Sequence, residues 1–156
     1  MSARRFWLMK SEPAEFSFDD LLAAPGRRTA WTGVRNARAR NYMRDQMRPG
    51  DRVLFYHSSC SPPGIAGIAE VASGPYPDPT QLDPASPYYD PRARPGAPRW
   101  MCVDVRAVRK TRFLPLAELR ADPALARMLV LRRGNRLSIT PVAATEYRRI
   151  LSKLGA

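Results

Sequence analysis

The sequence predicts an α+β domain in which a small mixed sheet curls into a barrel and short helices lie around it. Strand-like apolar runs alternate with helical segments that are too short and too irregularly placed for repeated βαβ units. Residues 1–156 are the length of a single domain and can bury a core of their own. We therefore expect one curled sheet rather than a doubly wound fold.

The first predicted elements are a buried strand over residues 6–9 and a short helix over residues 18–22. Pro13 forces a turn soon after the strand, because the residue before a proline avoids helical backbone angles. Ser17 is a typical helix cap, and a proline-glycine pair at residues 25–26 predicts the end of the helix.

Residues 31–43 form the most distinctive segment, Trp-Thr-Gly-Val-Arg-Asn-Ala-Arg-Ala-Arg-Asn-Tyr-Met. Trp31 lies near a glycine, so its indole can sit where backbone approaches a ligand. Arg35 and Arg38 could bind phosphate, the Asn36 amide could read a base edge, and the indole offers a stacking face. The structural alternative is a core tryptophan, a helix cap at Asn36 and a solvated arginine face.

From Asn36 onward the spacing predicts a helix with one apolar face and one basic flank. The apolar face comprises Ala39, Tyr42, Met43 and Met47, and the flank comprises Arg40, Arg44 and Arg48. Like charges four residues apart cost about 0.2–0.5 kcal/mol per pair, so an anionic partner would relieve them.

The middle of the chain predicts three strands around one long loop. Residues 52–57 are apolar on both faces, which is typical of a central strand, and residues 65–71 contain small side chains that allow close approach. Residues 74–98 contain eight of the sixteen prolines, and a loop of this length is usually functional or disordered. Residues 100–108 alternate strictly, with Trp100 either a pocket wall or an indole packed under the proline-rich loop.

The last part of the chain predicts two short helices, a short strand and a final helix. The short helices cover residues 114–119 and 122–125, the second with Asp as its cap and Pro in its first turn. A turn at residues 132–135 leads into a strand over residues 136–139. The final helix has an apolar face made of Tyr147, Ile150, Leu151 and Leu154.

Composition points to an anionic partner. The net charge is +12 and the isoelectric point is near 10.8, which suits nucleic acid or an anionic membrane surface. The sequence contains no run of eighteen apolar residues, so we expect no membrane-spanning helix. It also contains no phosphate-binding or dinucleotide-binding glycine motif, so we expect no cofactor. Cys60 and Cys102 are too few for a disulfide framework or a zinc site, so we expect a reduced, cytoplasmic, metal-free monomer.

Catalytic chemistry is harder to assemble than binding. His57 is the single histidine, and neighbours along a strand point to opposite faces, so His57 and Ser58 cannot form a catalytic pair. Asp78, Asp83 and Asp90 stand beside prolines and read as turn residues rather than as metal ligands. Stacking of a base on one aromatic ring contributes about 1–3 kcal/mol, enough with other contacts to hold a flipped nucleotide.

Ordered motifs along nearly the whole chain resemble one known family. They are Trp7-Leu8-Met9-Lys10-Ser11-Glu12-Pro13, Trp31-Thr32-Gly33-Val34-Arg35-Asn36, Ala39-Arg40-Asn41, Phe55-Tyr56-His57-Ser58, Pro63-Gly64-Ile65-Ala66-Gly67, Asp78-Pro79-Thr80-Gln81, Tyr89-Asp90-Pro91, Arg136-Leu137-Ser138 and Pro141-Val142. This pattern is similar to the EVE domain family. The resemblance implies a PUA-like fold, related in shape to YTH and ASCH domains, and a protein that recognises modified bases, chiefly cytosines in DNA, with RNA as a further target.

The resemblance also implies where a ligand binds. It places these residues near the pocket: Lys10, Ser11, Trp31, Arg35, Asn36, His57, Ser58, Trp100 and Ser138. Arg38 joins the set because of its place in the basic segment. The leading hypothesis is a non-enzymatic reader of a cytosine-derived base. The alternatives are an ASCH-like weak RNA or DNA hydrolase that uses His57, and a binder of a small anionic ligand.

Overall fold

The computed structural model describes residues 3–155, which form a curled mixed sheet with short helices on both sides. In chain order the elements are β1 (Phe6–Ser11), α1 (Phe18–Ala23), β2 (Arg28–Ala30), α2 (Ala37–Asn41), β3 (Arg52–His57), β4 (Gly64–Val71), β5 (Tyr76–Pro77), β6 (Met101–Cys102), β7 (Asp104–Pro115), α3 (Leu116–Ala121), β8 (Ile139–Val142) and α4 (Ala144–Lys153). The predicted α+β class is confirmed.

Within residues 3–155, six strands form one sheet in the order β2-β7-β4-β3-β1-β8, and β5 pairs with β6 separately. β1 and β3 are parallel, and the other neighbours in the large sheet are antiparallel. Register shifts interrupt the pairing of β4 with both β3 and β7, and such bulges bend a sheet. The sheet therefore curls into the half-open barrel that its mixed order allows.

Alternation along the strands divides the core between the two faces of the sheet. Trp7, Met9 and Phe55 belong to an inner cluster, and the intervening side chains of β1 and β3 belong to an outer cluster with residues of α4. At Gly67 the ring of Phe18 lies where a Cβ atom would stand, so the glycine lets α1 pack directly on β4. The prediction of a strand with close approach is confirmed.

The helix predicted from Asn36 onward is present. Asn36 Oδ1 accepts hydrogen bonds from the backbone N–H groups of Arg38 at 2.9 Å and Ala39 at 3.1 Å. After α2 the chain continues through one π-helical turn, Tyr42–Gln46. Three residues of the predicted apolar face are buried, namely Ala39, Met43 and Met47, and Tyr42 packs against the inner cluster.

The predicted boundaries of three elements are wrong: the strand at residues 100–108, the helix at residues 114–119 and the strand at residues 136–139. β7 runs to Pro115, so the helix expected from residue 114 begins at Leu116; the continuing ladder with β4 prevails over local helix propensity. The strand expected over residues 136–139 lies at Ile139–Val142 and includes Pro141. A proline is tolerated there because β8 is an edge strand.

The proline-rich segment, residues 74–98, is ordered against the body of the protein. Asp78, Gln81 and Asp90 are buried within it. The Gln81 amide donates to the backbone oxygens of Asp78 and Trp100, and its oxygen accepts from the N–H groups of Arg99 and Trp100, all at 2.8–2.9 Å. A single buried glutamine thus ties both ends of the segment together.

Candidate functional site

A cavity of about 630 Å³ opens where the parallel strands β1 and β3 end and β8 begins. Its volume is in the range of small-molecule binding sites. The lining residues come from five parts of the chain: Lys10, Ser11, Glu12, Glu15 and Phe16; residues 29–36; Ser58 and Ser59; Tyr88; and Arg136 with Ser138. Ladder hydrogen bonds fix this end of the sheet, since Lys10 N donates to Ser138 O at 2.8 Å and Ser58 N to Ser11 O at 3.0 Å.

Trp31 forms part of the cavity wall and is also part of the inner core. Its side chain is 8% exposed, its ring meets the Phe55 ring edge-on with centroids 5.4 Å apart, and its backbone N–H donates to Val103 O at 2.8 Å. The indole is therefore anchored from behind and borders the cavity in front.

Tyr88 borders the cavity as well, although the sequence did not single it out. Gly33 has φ of +86°, and a Cβ atom there would stand 2.8 Å from the Tyr88 ring, so the ring packs directly on the glycine backbone. The Tyr88 hydroxyl donates to the Glu15 carboxylate. That hydrogen bond, together with burial, raises the pKa of Tyr88 to about 12. Tyr88 consequently connects residues 31–43, here named the Trp31 segment, to the turn after β1, because its ring packs on Gly33 and its hydroxyl binds Glu15.

Arg35 borders the cavity, but its guanidinium is fully committed to the protein. Nε and Nη2 donate to Tyr88 O at 3.1 and 2.7 Å, Nη1 to Val34 O at 2.9 Å and Asp78 Oδ2 at 3.0 Å, and Nη2 also to Thr80 Oγ1 at 3.0 Å. An arginine has five N–H donors, and all five are used here. The prediction that Arg35 is available to bind phosphate is therefore wrong.

Asp78 is the buried carboxylate that organises this wall. Besides Arg35, it accepts hydrogen bonds from Gly33 N at 2.8 Å and from the backbone and hydroxyl groups of Thr80. Burial alone would raise the pKa of Asp78, but these hydrogen bonds hold it below its ordinary value. Asp78 thus stays ionised inside the protein and fixes the loop that carries Trp31.

Lys10 is the cation that faces the cavity without a carboxylate partner. Burial lowers the pKa of Lys10, and its Nζ lies 5.9 Å from the centroid of the Tyr56 ring. Within residues 3–155, no carboxylate oxygen lies within 4.0 Å of this ammonium group. Its three N–H donors can therefore be offered to a ligand.

Three predicted site residues do not line the cavity. His57 Nε2 accepts a hydrogen bond from Phe18 N at 3.1 Å, and burial lowers the pKa of His57. Trp100 is 8% exposed and its Nε1 donates to Asp90 Oδ2 at 2.8 Å, which is the alternative position under the proline-rich segment. Arg38 is exposed on α2.

The other seven predicted site residues do line the cavity, and they are Lys10, Ser11, Trp31, Arg35, Asn36, Ser58 and Ser138. Besides Arg35, two of them have committed side-chain atoms: Ser11 Oγ donates to Phe16 O at 2.6 Å, and Asn36 Oδ1 caps α2. Residues that the sequence analysis missed include Glu15, Tyr88 and Arg136. The aromatic-rich end of the proline segment was the available signal for Tyr88.

Residues 3–155 contain no group of three or more His, Cys, Asp or Glu side chains that could bind a metal ion. In the same range, no helix is long and apolar enough to cross a membrane.

The curled mixed sheet with peripheral helices defines a PUA-like domain. The distant ZmASCH protein of Zymomonas mobilis shares this fold, with a TM-score of 0.56 and 11% identity over 96% of this chain and 98% of that chain. The model of the EVE domain matches residues 5–153. The chain therefore belongs to the EVE domain family, as its ordered motifs predicted.

Close relatives include human thymocyte nuclear protein 1, which is 42% identical over 163 residues that cover 94% of this chain and 72% of the human protein. A hypothetical protein from Leishmania major has a TM-score of 0.93 and 44% identity, with 98% and 96% of the two chains covered. The human THYN1 protein in complex with DNA that contains 5-methylcytosine has a TM-score of 0.91 and 40% identity, with 97% and 98% covered.

Proposed function

We propose that this protein binds nucleic acid and holds a cytosine-derived modified base in the cavity beside Trp31. The observation that carries the proposal is the cavity itself, which an indole and a tyrosine ring border and which lies next to unpaired cationic groups on Lys10 and Arg136. The complex of human THYN1 with 5-methylcytosine DNA supports the same class of ligand.

The cavity has the groups that a flipped base needs. Extrusion of a base costs a few kcal/mol, and stacking on one ring returns about 1–3 kcal/mol, so polar contacts must supply the rest. Lys10 can donate to the N3 and O2 acceptors of cytosine, and the Glu12 carboxylate, which also lines the cavity, can accept from its amino group. Thymine and uracil present a donor at N3, so a donor at Lys10 would disfavour them.

Binding rather than hydrolysis suits the surroundings of His57. A general base must reach the proton that it removes, yet His57 Nε2 already accepts from the Phe18 backbone N–H outside the cavity lining. The distant ASCH protein shares only the fold. The hydrolase hypothesis therefore enters the experiments as the competing outcome.

The test is fluorescence anisotropy with labelled duplex DNA, single-stranded DNA and RNA of one sequence, each carrying cytosine, 5-methylcytosine or 5-hydroxymethylcytosine at one position. Trp31→Leu is the test variant, and Trp100→Leu is its matched control, because both indoles are 8% exposed and only Trp31 lines the cavity. We expect preference for a modified cytosine in the parent protein and in Trp100→Leu, and loss of that preference in Trp31→Leu.

Equal affinity of the parent protein for modified and unmodified strands would overturn the proposal. An affinity that does not change with salt concentration would contradict phosphate contacts and favour the small-anion alternative. Incubation of the same strands with the protein and with His57→Ala tests the remaining alternative. Reproducible cleavage that disappears in the variant would establish the hydrolase.

A further inference from the structure

We propose that the loop of residues 132–136, here named the arginine loop, contacts the phosphodiester backbone of the nucleic acid whose base enters the cavity. The inference rests on the proposed function and assigns the phosphate contacts to the predicted turn at residues 132–135 and to Arg136, the first residue of the strand predicted after it. Arg132, Arg133 and Arg136 supply three positive charges within five residues.

The arginine loop lies directly beside the cavity. Arg136 lines the cavity, and so does Ser138, two residues after it. The backbone oxygen of Ser138 accepts the Lys10 N–H near the end of β1. A nucleotide with its base in the cavity would leave its phosphates at the rim. Arg136 borders the cavity, and Arg132 and Arg133 precede it in the same loop, so the loop brings three cations toward these phosphates.

The guanidinium groups of the loop are available, whereas those of Arg35 and Arg40 donate to acceptors within the protein. Arg132, Arg133 and Arg136 are exposed, and none of them forms an ion pair or side-chain hydrogen bond among the described residues. The sequence has no acidic residue between Asp122 and Glu146, so the loop carries no carboxylate of its own that competes for these groups. Phosphate can pair with all three.

In the segment that the sequence favoured for phosphate binding, Arg38 is exposed, but the neighbouring arginines already have partners. Arg35 uses every donor internally, and Arg40 donates to Arg99 O at 2.9 Å and to Asn41 Oδ1 at 3.1 Å while its guanidinium lies 5.4 Å from the Trp100 ring centroid. Arg44 pairs with Asp45 at 2.8 Å. Arg35 and Arg40 therefore stabilise the fold around the cavity instead of facing a ligand.

The backbone of the arginine loop is held in place while its charged ends project. Asn135 Nδ2 donates to Leu129 O, and Asn135 Oδ1 accepts from Leu137 N at 2.9 Å. Gly134 adopts φ of +79°, which closes the turn. A fixed loop loses little backbone entropy when it binds, so its charges act as a preformed surface for a strand.

The experiment measures affinity for modified and unmodified duplexes over a series of salt concentrations. The double variant Arg132→Gln/Arg133→Gln and the single variant Arg136→Gln remove charges from the loop. Arg127→Gln/Arg148→Gln is the matched double control, since Arg127 borders a separate groove beside α4 and Arg148 is exposed on α4. All five side chains are exposed, so the variants retain the fold.

The slope of log affinity against log salt is negative, and we expect its magnitude to fall by about 2 in the double loop variant and by about 1 in the single variant. The affinities for modified and for unmodified DNA should fall by the same factor, so the preference for the modified base should persist. The control variant should keep the slope of the parent protein. Unchanged slopes in the loop variants, or equal losses in the control, would overturn the assignment.

The same data separate this proposal from the proposed function. A parent protein that binds DNA without preference for the modified base refutes the reader function, while the slopes still decide the role of the loop. A parent protein that binds no nucleic acid overturns both. Vesicles with anionic lipid form a further arm: loop-dependent binding to vesicles that exceeds binding to DNA would overturn the nucleic-acid assignment in favour of a membrane surface.

Discussion

Arg35 and Asp78, 43 residues apart in the chain, form a largely buried ion pair at 3.0 Å that joins the Trp31 segment to the proline-rich segment. The Asp78 side chain is fully buried and that of Arg35 is 22% exposed. Because Gly33 N also donates to Asp78, the carboxylate fixes the backbone on both sides of Val34. The cavity wall is therefore the product of a contact between two loops.

We expect Arg35→Lys to lower the free energy of unfolding by about 1–3 kcal/mol, because a lysine cannot replace the planar set of five donors and leaves buried acceptors unpaired. Urea titration measures the change. Arg44→Lys is the control, since the Arg44–Asp45 pair is about half exposed on each side and should contribute less than about 1 kcal/mol. Equal losses in the two variants would contradict the bridging role of Arg35.

Gly33→Ala should destabilise the protein more than Gly50→Ala. Both glycines have a left-handed backbone, with φ of +86° and +95°, and alanine in that region costs roughly 1–2 kcal/mol. Nothing lies within 4 Å of a Cβ atom at Gly50, whereas at Gly33 it would stand 2.8 Å from the Tyr88 ring and push that ring away. Thermal unfolding compares the two variants. Similar melting temperatures would show that the Tyr88 ring moves aside without loss of stability.

Local patterns in the sequence were enough to predict most of the fold. The step of four along residues 39–47 identified the buried face of α2, and the two-sided apolar run at residues 52–57 identified the central strand β3. Boundaries that depend on pairing were not accessible in this way. The extension of β7 to Pro115 follows from its ladder with β4, which lies far away in the sequence.

The candidate site was predictable only in part, because its composition depends on which groups already have partners. Sequence motifs indicated Trp31 and Arg35 together, and both line the cavity. They could not show that the Asp78 carboxylate and the Tyr88 backbone oxygen take up donors of the Arg35 guanidinium. For the same reason the sequence did not identify Arg136 as a site residue, because its role depends on a guanidinium that has no partner among residues 3–155 of the folded protein.

Lys10→Met should raise the free energy of unfolding by about 0.5–2 kcal/mol while it weakens binding of nucleic acid, because it removes a cation that burial disfavours. Since the pKa of Lys10 is lowered in the folded state, the unfolded chain binds more protons between that lowered pKa and 10.5, and stability of the parent protein rises with pH there. The gap between variant and parent should therefore narrow as pH approaches 10.5.

Lys110→Met is the control for this prediction. Lys110 is exposed and pairs with Asp19 at 2.7 Å, so its replacement should change stability by less than about 1 kcal/mol and leave binding intact. Chemical denaturation at several pH values and anisotropy with a modified duplex measure the two properties. A loss of stability in Lys10→Met would show that the ammonium group has a stabilising partner.

His57 should make the stability of this protein depend on pH near neutrality. Burial lowers its pKa in the folded state, so when pH falls below 6.5 the unfolded histidine binds a proton that the folded one does not. The contribution of His57 to the free energy of unfolding should therefore be constant above pH 6.5 and should decrease as pH falls from 6.5 to the lowered folded pKa. His57 is the single histidine of the chain, so the change between pH 7.5 and 5.5 reports on it directly.

The variant for this test is His57→Gln, whose side-chain oxygen can accept the Phe18 N–H that Nε2 accepts in the parent protein. Urea titrations at pH 5.5, 6.5 and 7.5 should give a nearly flat profile for the variant and a decreasing one for the parent. Binding of a modified duplex at pH 7.5 should be unchanged, because His57 does not line the cavity. A parent profile as flat as that of the variant would mean that the folded protein accepts the proton readily, and that His57 is free to act as an acid or base.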